Sequence, residues 1–93
     1  MNHYLLTYEV TEDYVERRTP FRNEHLALAA TFFRDGHLIM GGALANPADK
    51  AVLVFRCEDI KTVEKFVQQD PYMLNGLVKS WKIREWTVVV GAK

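Results

Sequence analysis

The feature that most constrains the fold is a pair of strand-like segments placed between two helical patterns. Residues 37–44 and 51–57 are rich in apolar side chains, and a turn-forming run at residues 46–49 joins them. One helical pattern precedes this pair and another follows it, and a strand-like segment stands near each end of the chain. The order is βαββαβ, which predicts a ferredoxin-like α+β fold: an antiparallel four-stranded sheet with two helices on one face.

The first strand and the first helix have clear local signals. Residues 3–10 alternate in polarity, as a half-buried strand does. Thr19 and Pro20 suit a helix start, with threonine as the cap and proline in the first turn. The helix is expected to end near Asp35, because Gly36 suits its C-terminal cap.

The second helix is bounded by two aspartates. Asp59 can cap its start, and the helix should stop before Pro71, because the residue that precedes a proline disfavours helical backbone. Residues 71–74 predict one further turn, which Gly76 closes.

The last strand is predicted over residues 80–90. Its apolar phase slips between Ile83 and Trp86, which predicts a bulge near Arg84 and Glu85.

Two of the predicted strands are apolar on both faces. Residues 52–55 and 88–90 place apolar side chains at every position, so half of them cannot lie under the helices. An exposed apolar sheet face of this size is unusual for a monomer. We therefore expect a homodimer that packs through this sheet face.

Composition excludes several classes of function. The chain has 93 residues, which predicts a single domain over 1–93, and its formal net charge is zero. A nucleic-acid role lacks the usual basic excess, and the apolar runs are too short to span a bilayer. Cys57 is the single cysteine, so no disulfide framework is expected, and with no leader-like start the expected compartment is the cytoplasm.

His25 is the first candidate for chemistry. It falls in line with Phe21, Leu28 and Phe32, so it belongs to the buried stripe of the first helix or to its margin. One interpretation is a structural histidine bonded to a backbone carbonyl. The other is a general acid or base, which the helix N-terminus would favour in its neutral form.

Asp70 also has two interpretations. Asp-Pro commonly begins a helical turn, with aspartate as the cap. Alternatively, Asp70 orients His25 and stabilises its protonated form, as a carboxylate does in hydrolase triads. A carboxylate has two oxygens, so both roles can coexist.

Arg18 and Arg22 precede His25 by seven and three residues and can share its face of the helix. They could hold a carboxylate or phenolate, or they could be solvated and paired with Glu16 or Glu24.

Among the remaining candidates, Tyr8, Tyr14 and Tyr72 could each donate a hydrogen bond to a ligand or lie at the edge of the core. Gly41 and Gly42 predict a bulge or a close backbone approach inside the second strand. The histidines lack metal-ligand spacing, so no metal site is expected.

Taken together, these motifs resemble the YciI-like (YCII-related) proteins of the dimeric α+β barrel group. The matching pieces, in chain order, are Glu16-Arg17-Arg18, Arg22, His25-Leu26, the strand at 38–44, Asp70-Pro71-Tyr72 with Gly76, and the closing strand around Trp86. One departure is Ala43, because the family often has proline after the glycine that corresponds to Gly42.

The resemblance implies a dimeric protein with a pocket beside a histidine–aspartate pair. The pair is His25 and Asp70, and the candidate substrate-binding residues are Arg18, Arg22, Tyr8, Tyr72 and Gly42. Related proteins, a chlorinated-hydroxyquinol dehydrochlorinase and muconolactone isomerase-like proteins, transfer protons on small ring compounds without a cofactor. The resemblance therefore implies a cofactor-independent lyase or isomerase for a small cyclic anion. The alternative is a non-catalytic, small-ligand-binding or accessory dimeric module.

Overall fold

The computed structural model describes residues 1–91, so the last two residues of the domain predicted over 1–93 lie outside it. The strands and the two main helices follow the predicted βαββαβ order, and short helical segments are added before the first main helix and after the second. In chain order the elements are β1 Asn2–Val10, α1 Tyr14–Arg17, a 3₁₀ turn Thr19–Phe21, α2 Arg22–Arg34, β2 Leu38–Ala43, β3 Lys50–Cys57, α3 Ile60–Gln69, α4 Pro71–Leu74 and β4 Val78–Trp86.

The four strands form one antiparallel sheet in the order β2-β3-β1-β4. This arrangement confirms the ferredoxin-like α+β prediction. The alternation in β1 sets which face is covered: Leu6 and Tyr8 are buried, while Leu5 and Thr7, which alternate with them, are half-buried on the other side.

The core lies between the sheet and the helices. Phe55 of β3 meets Phe32 of α2 and Phe66 of α3, with ring centroids 6.3 and 5.3 Å apart and edge-to-face geometry. Such aromatic pairs add to the stabilisation that burial alone gives. Both main helices therefore pack on the same face of the sheet.

The start of α2 differs from the prediction. Thr19 is not a helix cap: it lies inside the 3₁₀ turn, and α2 begins three residues later without a side-chain cap. The reason is that Arg18 already has helical backbone, so the chain never adopts the extended conformation that a cap residue needs. The predicted C-terminal end is confirmed, since Gly36 has φ +81°.

The boundaries of α3 and α4 follow the prediction. The Asp59 side chain accepts a hydrogen bond from the Lys61 amide at 2.9 Å. Helix α3 ends before Asp70, where the backbone is extended, and α4 begins at Pro71. Gly76, with φ +75°, follows this last turn.

Two predictions for β4 are wrong. The strand ends at Trp86 rather than Val90, because Trp86 pairs with His3 and β1 extends only one residue further, to Asn2, so β1 has no residues that could pair with 88–90. There is also no bulge at Arg84 and Glu85: the pairing is regular there and shifts instead beside Glu9 and Val10. Ile83 and Trp86 simply face opposite sides of the sheet, which alternation allows across an odd interval.

The glycines in β2 mark a close approach. A side chain at Gly41 would place its Cβ 3.0 Å from Leu53 Cγ. The pairing of β2 with β3 is regular at the two glycines and irregular only between Leu38 and Met40, so the glycine pair marks the close approach and not a bulge. None of the helices within residues 1–91 has the length and apolar character needed to cross a bilayer.

Candidate active site

Asp70 is the centre of the site and is fully buried. It lies at the junction of α3 and α4, where its Oδ1 accepts a hydrogen bond from the Tyr72 amide at 3.0 Å. This is the helix-capping role that the Asp-Pro sequence predicts.

The same carboxylate contacts His25. The Nδ1 atom of His25 lies 2.8 Å from Asp70 Oδ1, although the two residues are 45 positions apart in the chain. The imidazole therefore faces a carboxylate and not a backbone carbonyl. Capping and histidine contact coexist on one aspartate, because each carboxylate oxygen can accept more than one hydrogen bond.

Tyr8 occupies the other oxygen. Its hydroxyl donates to Asp70 Oδ2 at 2.7 Å inside the core. Burial first, and the negative charge of Asp70 second, raise the pKa of Tyr8 well above its usual value of about 10, so the hydroxyl keeps its proton. With donors from Tyr8, Tyr72 and His25, the buried carboxylate is hydrogen-bonded on both oxygens.

This arrangement sets the tautomer of the histidine. An ionised carboxylate only accepts hydrogen bonds, so the ring nitrogen beside it, Nδ1, must carry a proton. In the neutral ring Nε2 is then the nitrogen with a free lone pair. His25 can therefore accept a proton at Nε2 while Asp70 stabilises the charge that results.

Aromatic contacts fix the plane of the His25 ring. The Tyr72 ring stacks on it with centroids 3.9 Å apart and planes inclined by 8°. Phe66 adds an edge-to-face contact with centroids 6.3 Å apart. The imidazole is thus held by a hydrogen bond at Nδ1 and by the stacked Tyr72 ring, which limits its rotation.

A cavity of about 200 Å³ opens beside the pair. Its walls come from both layers of the fold: the helical layer supplies the charged groups together with some apolar side chains, and the sheet supplies mostly apolar ones. The lining residues are Tyr8, Tyr14, Arg18, Arg22, His25, Leu26, Ala29, Leu38, Gly41, Gly42, Ala43, Ala51, Leu53 and Tyr72. An engineered apolar cavity of about 150 Å³ holds benzene, so this volume suits one substituted ring.

The two candidate arginines lie on the cavity wall. Within residues 1–91, neither Arg18 nor Arg22 has a carboxylate within the 4.0 Å of an ion pair, so Glu16 and Glu24 do not neutralise them. The Arg18 guanidinium carbon lies 5.1 Å from the centre of the Tyr14 ring, a cation–π arrangement. The cavity is therefore bordered by uncompensated positive charge.

Tyr72 also lines the cavity, and its hydroxyl is a buried polar group. Its side chain is 1% exposed, and its hydroxyl has no hydrogen-bond partner within the described chain. Burial first, and the neighbouring Tyr14 second, raise the pKa of Tyr72, and Arg22 and Arg18 oppose them only in part, so the hydroxyl keeps its proton. A buried, unpaired donor is rare and costs stability.

The candidate site residues other than Asp70 line this cavity, and Asp70 lies behind its wall in contact with His25 and Tyr8. His25, Asp70 and Tyr8 form one hydrogen-bonded cluster, while Arg18 and Tyr72 border the open space, and Gly42 contributes to the wall from β2.

Sequence reasoning missed two features of the site. It did not identify the ring of Tyr14 as the surface that Arg18 covers, although their four-residue spacing on a helical turn is a usable signal. It also did not predict that apolar residues of β2 and β3 form part of the cavity wall, because the same residues are equally typical of an ordinary core. No group of three potential metal-ligating side chains comes together in the part of the chain that the structure describes.

The model of the YCII-related domain matches residues 1–87. The chain belongs to this family. The match covers β1 through β4 and all the candidate site residues, so it confirms the resemblance that the sequence motifs carry. A search of curated proteins gave no match.

Solved structures share the fold of this YCII-related protein. 5-Chloro-2-hydroxyhydroquinone dehydrochlorinase (TftG) from Burkholderia phenoliruptrix, in complex with 2,5-dihydroxybenzoquinone, superposes with a TM-score of 0.77 at 18% identity, covering 91% of this chain and 93% of that one. A NIPSNAP domain protein from Burkholderia xenovorans gives 0.60 at 12% identity, covering 100% and 99%. A putative antibiotic biosynthesis monooxygenase from Deinococcus radiodurans gives 0.59 at 12%, covering 100% and 97%.

Proposed function

We propose that this protein is a cofactor-independent lyase or isomerase that transfers a proton on a small cyclic anion. The observation that carries the proposal is the buried His25–Asp70 contact of 2.8 Å at the wall of a ring-sized cavity. A histidine with a fixed tautomer and a carboxylate behind it is suited to general acid–base catalysis.

In the proposed step, His25 Nε2 removes a proton from a ring carbon next to a carbonyl group. The C–H electron pair passes toward the carbonyl oxygen and forms an enolate, while Asp70 stabilises the imidazolium. In an elimination, the electron pair returns and expels a leaving group such as chloride from the neighbouring carbon. In an isomerisation, His25 gives the proton back to a different ring carbon.

The negative charge that develops on the substrate needs donors, and the cavity offers them. The Tyr72 hydroxyl is unpartnered, and Arg18 and Arg22 have no carboxylate partners within the described chain. Donors placed around a developing oxyanion lower the barrier to its formation. We assign Arg18, Arg22 and Tyr72 to the anionic oxygens of the ligand.

The comparison with TftG supports this class of reaction. That protein is a dehydrochlorinase, and its structure holds a single-ring dihydroxybenzoquinone. The fold likeness is at 18% identity, so it gives an analogy in reaction type and ligand size and leaves the substrate of this chain to experiment.

Turnover of single-ring compounds tests the proposal. Chlorinated hydroxyquinols and enolisable ring ketones can be screened for chloride release or for spectral change, with wild type and His25→Ala side by side. Loss of a general base should lower kcat by roughly 10²–10⁴-fold while the circular dichroism spectrum stays unchanged. His37→Ala is the matched control, because His37 does not line the cavity. Full activity in His25→Ala would show that the assignment is wrong.

The second candidate is a binding module. The cation-lined cavity and the free Tyr72 hydroxyl require only that an anion binds, and they do not themselves require chemistry. In that case wild type binds a ring compound without converting it, and His25→Ala loses little affinity. Calorimetry beside the turnover assay separates the two candidates.

We also propose that the protein is a homodimer through the open face of the sheet. Leu5, Val52 and Val54 form a half-buried apolar centre on this face, and Met40 and Trp86 remain 64% and 46% exposed around it. A second copy would cover this surface. Sedimentation of Val54→Asp should show a weaker dimer than wild type. Leu74→Asp, on α4, is the control and should leave the dimer unchanged. A wild type that is monomeric at micromolar concentration contradicts the proposal.

A further inference from the structure

Asp70 is a buried carboxylate that has no arginine or lysine beside it. Its side chain is fully buried, and within residues 1–91 its only ion-pair partner is His25, at 2.8 Å. A carboxylate in such surroundings stays ionised only where hydrogen-bond donors replace the lost water. With His25 as its only donor, Asp70 would draw a proton onto the ring and hold it there. A histidine that stays protonated cannot remove a proton from a ligand, so a general base at this position requires further donors to Asp70.

Tyr8 supplies such a donor on the opposite carboxylate oxygen. Its hydroxyl donates to Asp70 Oδ2 at 2.7 Å, while His25 and the Tyr72 amide share Oδ1. Tyr8 lies in β1, which pairs with β3 on one side and with β4 on the other, and its side chain is 1% exposed. Burial raises the pKa of Tyr8, so the hydroxyl remains a donor over the whole range in which a histidine titrates. The bond to Asp70 is therefore fixed in place and in direction.

The other titratable and charged groups around the cluster come from α1, α2 and α4. Those that line the cavity are Tyr14, Arg18, Arg22 and Tyr72. From α3 comes the uncharged ring of Phe66, and none of the lining residues of β2 and β3 is charged. The two arginines favour a neutral His25, as nearby positive charges do, but they are the same in wild type and in a variant of Tyr8. A comparison of those two proteins therefore isolates the bond between Tyr8 and Asp70.

The strength of the Tyr8 bond depends on the state of His25. A hydrogen bond to a carboxylate is strongest when the oxygens carry the full negative charge, which is the case while the ring is neutral. Once the ring is an imidazolium, much of that charge is already compensated at Oδ1, and the Tyr8 bond contributes less. Tyr8 therefore stabilises the neutral state of His25 relative to its protonated state.

We propose that Tyr8 is a positioning residue that tunes His25 as a base through Asp70. The inference rests on the proposed function and deepens it. By taking up charge at Oδ2, the hydroxyl limits how firmly Asp70 holds a proton on the ring, so Nε2 of His25 is available to accept the proton of a ligand. Tyr8 also lines the cavity, but its hydroxyl is bonded to Asp70, so it acts on a ligand through His25.

The first test is an NMR pH titration of the histidine ring signals in the full chain, without any ligand. The His25 signal is identified by its loss in His25→Ala, and His3 and His37 serve as internal references. In Tyr8→Phe the midpoint of the His25 titration should rise by about 0.5–1 pH unit, which is a three- to tenfold gain in proton affinity. The midpoints of the two reference histidines should not move.

Tyr4→Phe is the matched control for this titration. It removes a hydroxyl from a buried tyrosine of the same strand and the same face, and this hydroxyl contacts Asn2 and not Asp70. The His25 midpoint in this control should equal that of wild type. A shift as large as the one in Tyr8→Phe would show that any loosening of β1 moves the titration, and it would overturn the inference.

The second test places 3-fluorotyrosine at position 8 alone. The ring keeps almost the same size, and its more acidic hydroxyl is a stronger donor, so the His25 midpoint should fall below that of wild type. A merely structural role would lower the free energy of unfolding in Tyr8→Phe without moving either midpoint. Unchanged midpoints, or shifts of the same sign in both proteins, overturn the inference. If Tyr8→Phe does not fold, the fluorinated protein decides alone.

These titrations need no substrate, so they separate this inference from the proposed function. Shifts of opposite sign in a protein that converts no ring compound would support the role of Tyr8 and contradict the catalytic proposal. Turnover with unmoved midpoints would overturn the inference on Tyr8 and leave the catalytic proposal standing. Where turnover is observed, the acidic limb of the pH profile of kcat/KM should move with the NMR midpoint in each protein.

Discussion

Two aspartates begin helices in this protein, and they differ in everything except that local role. Asp59 accepts from the amide two residues ahead at 2.9 Å, and Asp70 does the same at 3.0 Å. Asp59 is exposed, and among the bonds described its side chain makes only this one. Asp70 is fully buried and also receives His25 and Tyr8. The same sequence signal thus gives a simple cap at one end of α3 and the centre of a candidate site at the other.

The largest expected effect is on stability. Asp59→Ala removes an exposed cap and should cost about 1 kcal/mol. Asp70→Ala leaves the Tyr8 hydroxyl, the Tyr72 amide and His25 without their buried partner, so the free energy of unfolding should fall by about 3 kcal/mol or more. Urea unfolding of both variants measures this difference. Equal losses would mean that Asp70 is no more than a cap.

The next effect is on how stability depends on pH. It distinguishes the buried hydrogen bonds of Asp70 from the exposed cap at Asp59. Burial raises the pKa of Tyr8 in the folded protein above the value of about 10 expected when unfolded. As pH rises, the Tyr8 hydroxyl is therefore deprotonated in the unfolded chain before it is in the folded protein. The stabilisation that the buried hydroxyl contributes is present in full below about pH 10 and is lost as pH rises further.

Tyr8→Phe removes this contribution. Between pH 10 and 11 the fall in unfolding free energy with pH should be shallower than in wild type by up to about 1.4 kcal/mol per pH unit. Tyr72 and Cys57, whose pKa values burial also raises, contribute to the slope that remains. Asp59→Asn serves as the control and should keep the wild-type slope. An unchanged slope in Tyr8→Phe would show that Tyr8 is not held as a buried donor.

The smallest effect on stability is expected at Tyr72, and its sign is the informative part. Because the hydroxyl is buried without a partner, Tyr72→Phe should leave the fold as stable as wild type or more stable by up to about 1 kcal/mol. Affinity for an anionic ring compound should fall roughly tenfold with the lost donor. Tyr4→Phe, outside the cavity, is the matched control for the affinity measurement. A clear loss of stability in Tyr72→Phe would mean that the hydroxyl already has a partner.

The comparison of the two aspartates shows how far sequence reasoning reaches. Some predictions depend only on neighbours in the chain, and the structure confirms them: the helix start at Asp59, the helix boundary before Pro71 and the alternating burial of β1. The contact of His25 with Asp70 spans 45 positions and depends on how α2 packs beside α4, which no local pattern encodes. The residues could be named from the family resemblance, but their geometry could not.

The error at the end of β4 has a similar origin. Residues 87–90 have strong strand propensity, yet a strand exists only where a partner is present, and β1 begins at Asn2. Thr19 failed as a cap for a related reason, because the preceding turn had already set its backbone. In both places the neighbouring structure outweighed the local preference of the residue.

The most direct test of the account is the tautomer of His25, read from the ¹⁵N shifts of its ring nitrogens at a pH where the ring is neutral. The account predicts a proton on Nδ1 and a bare Nε2 in wild type, with a shift toward the Nε2–H tautomer in Asp70→Asn. The same signals in Asp59→Asn should match wild type. A wild-type ring that carries its proton on Nε2, or one that does not respond to Asp70→Asn, would contradict the claim that Asp70 sets His25 as a base.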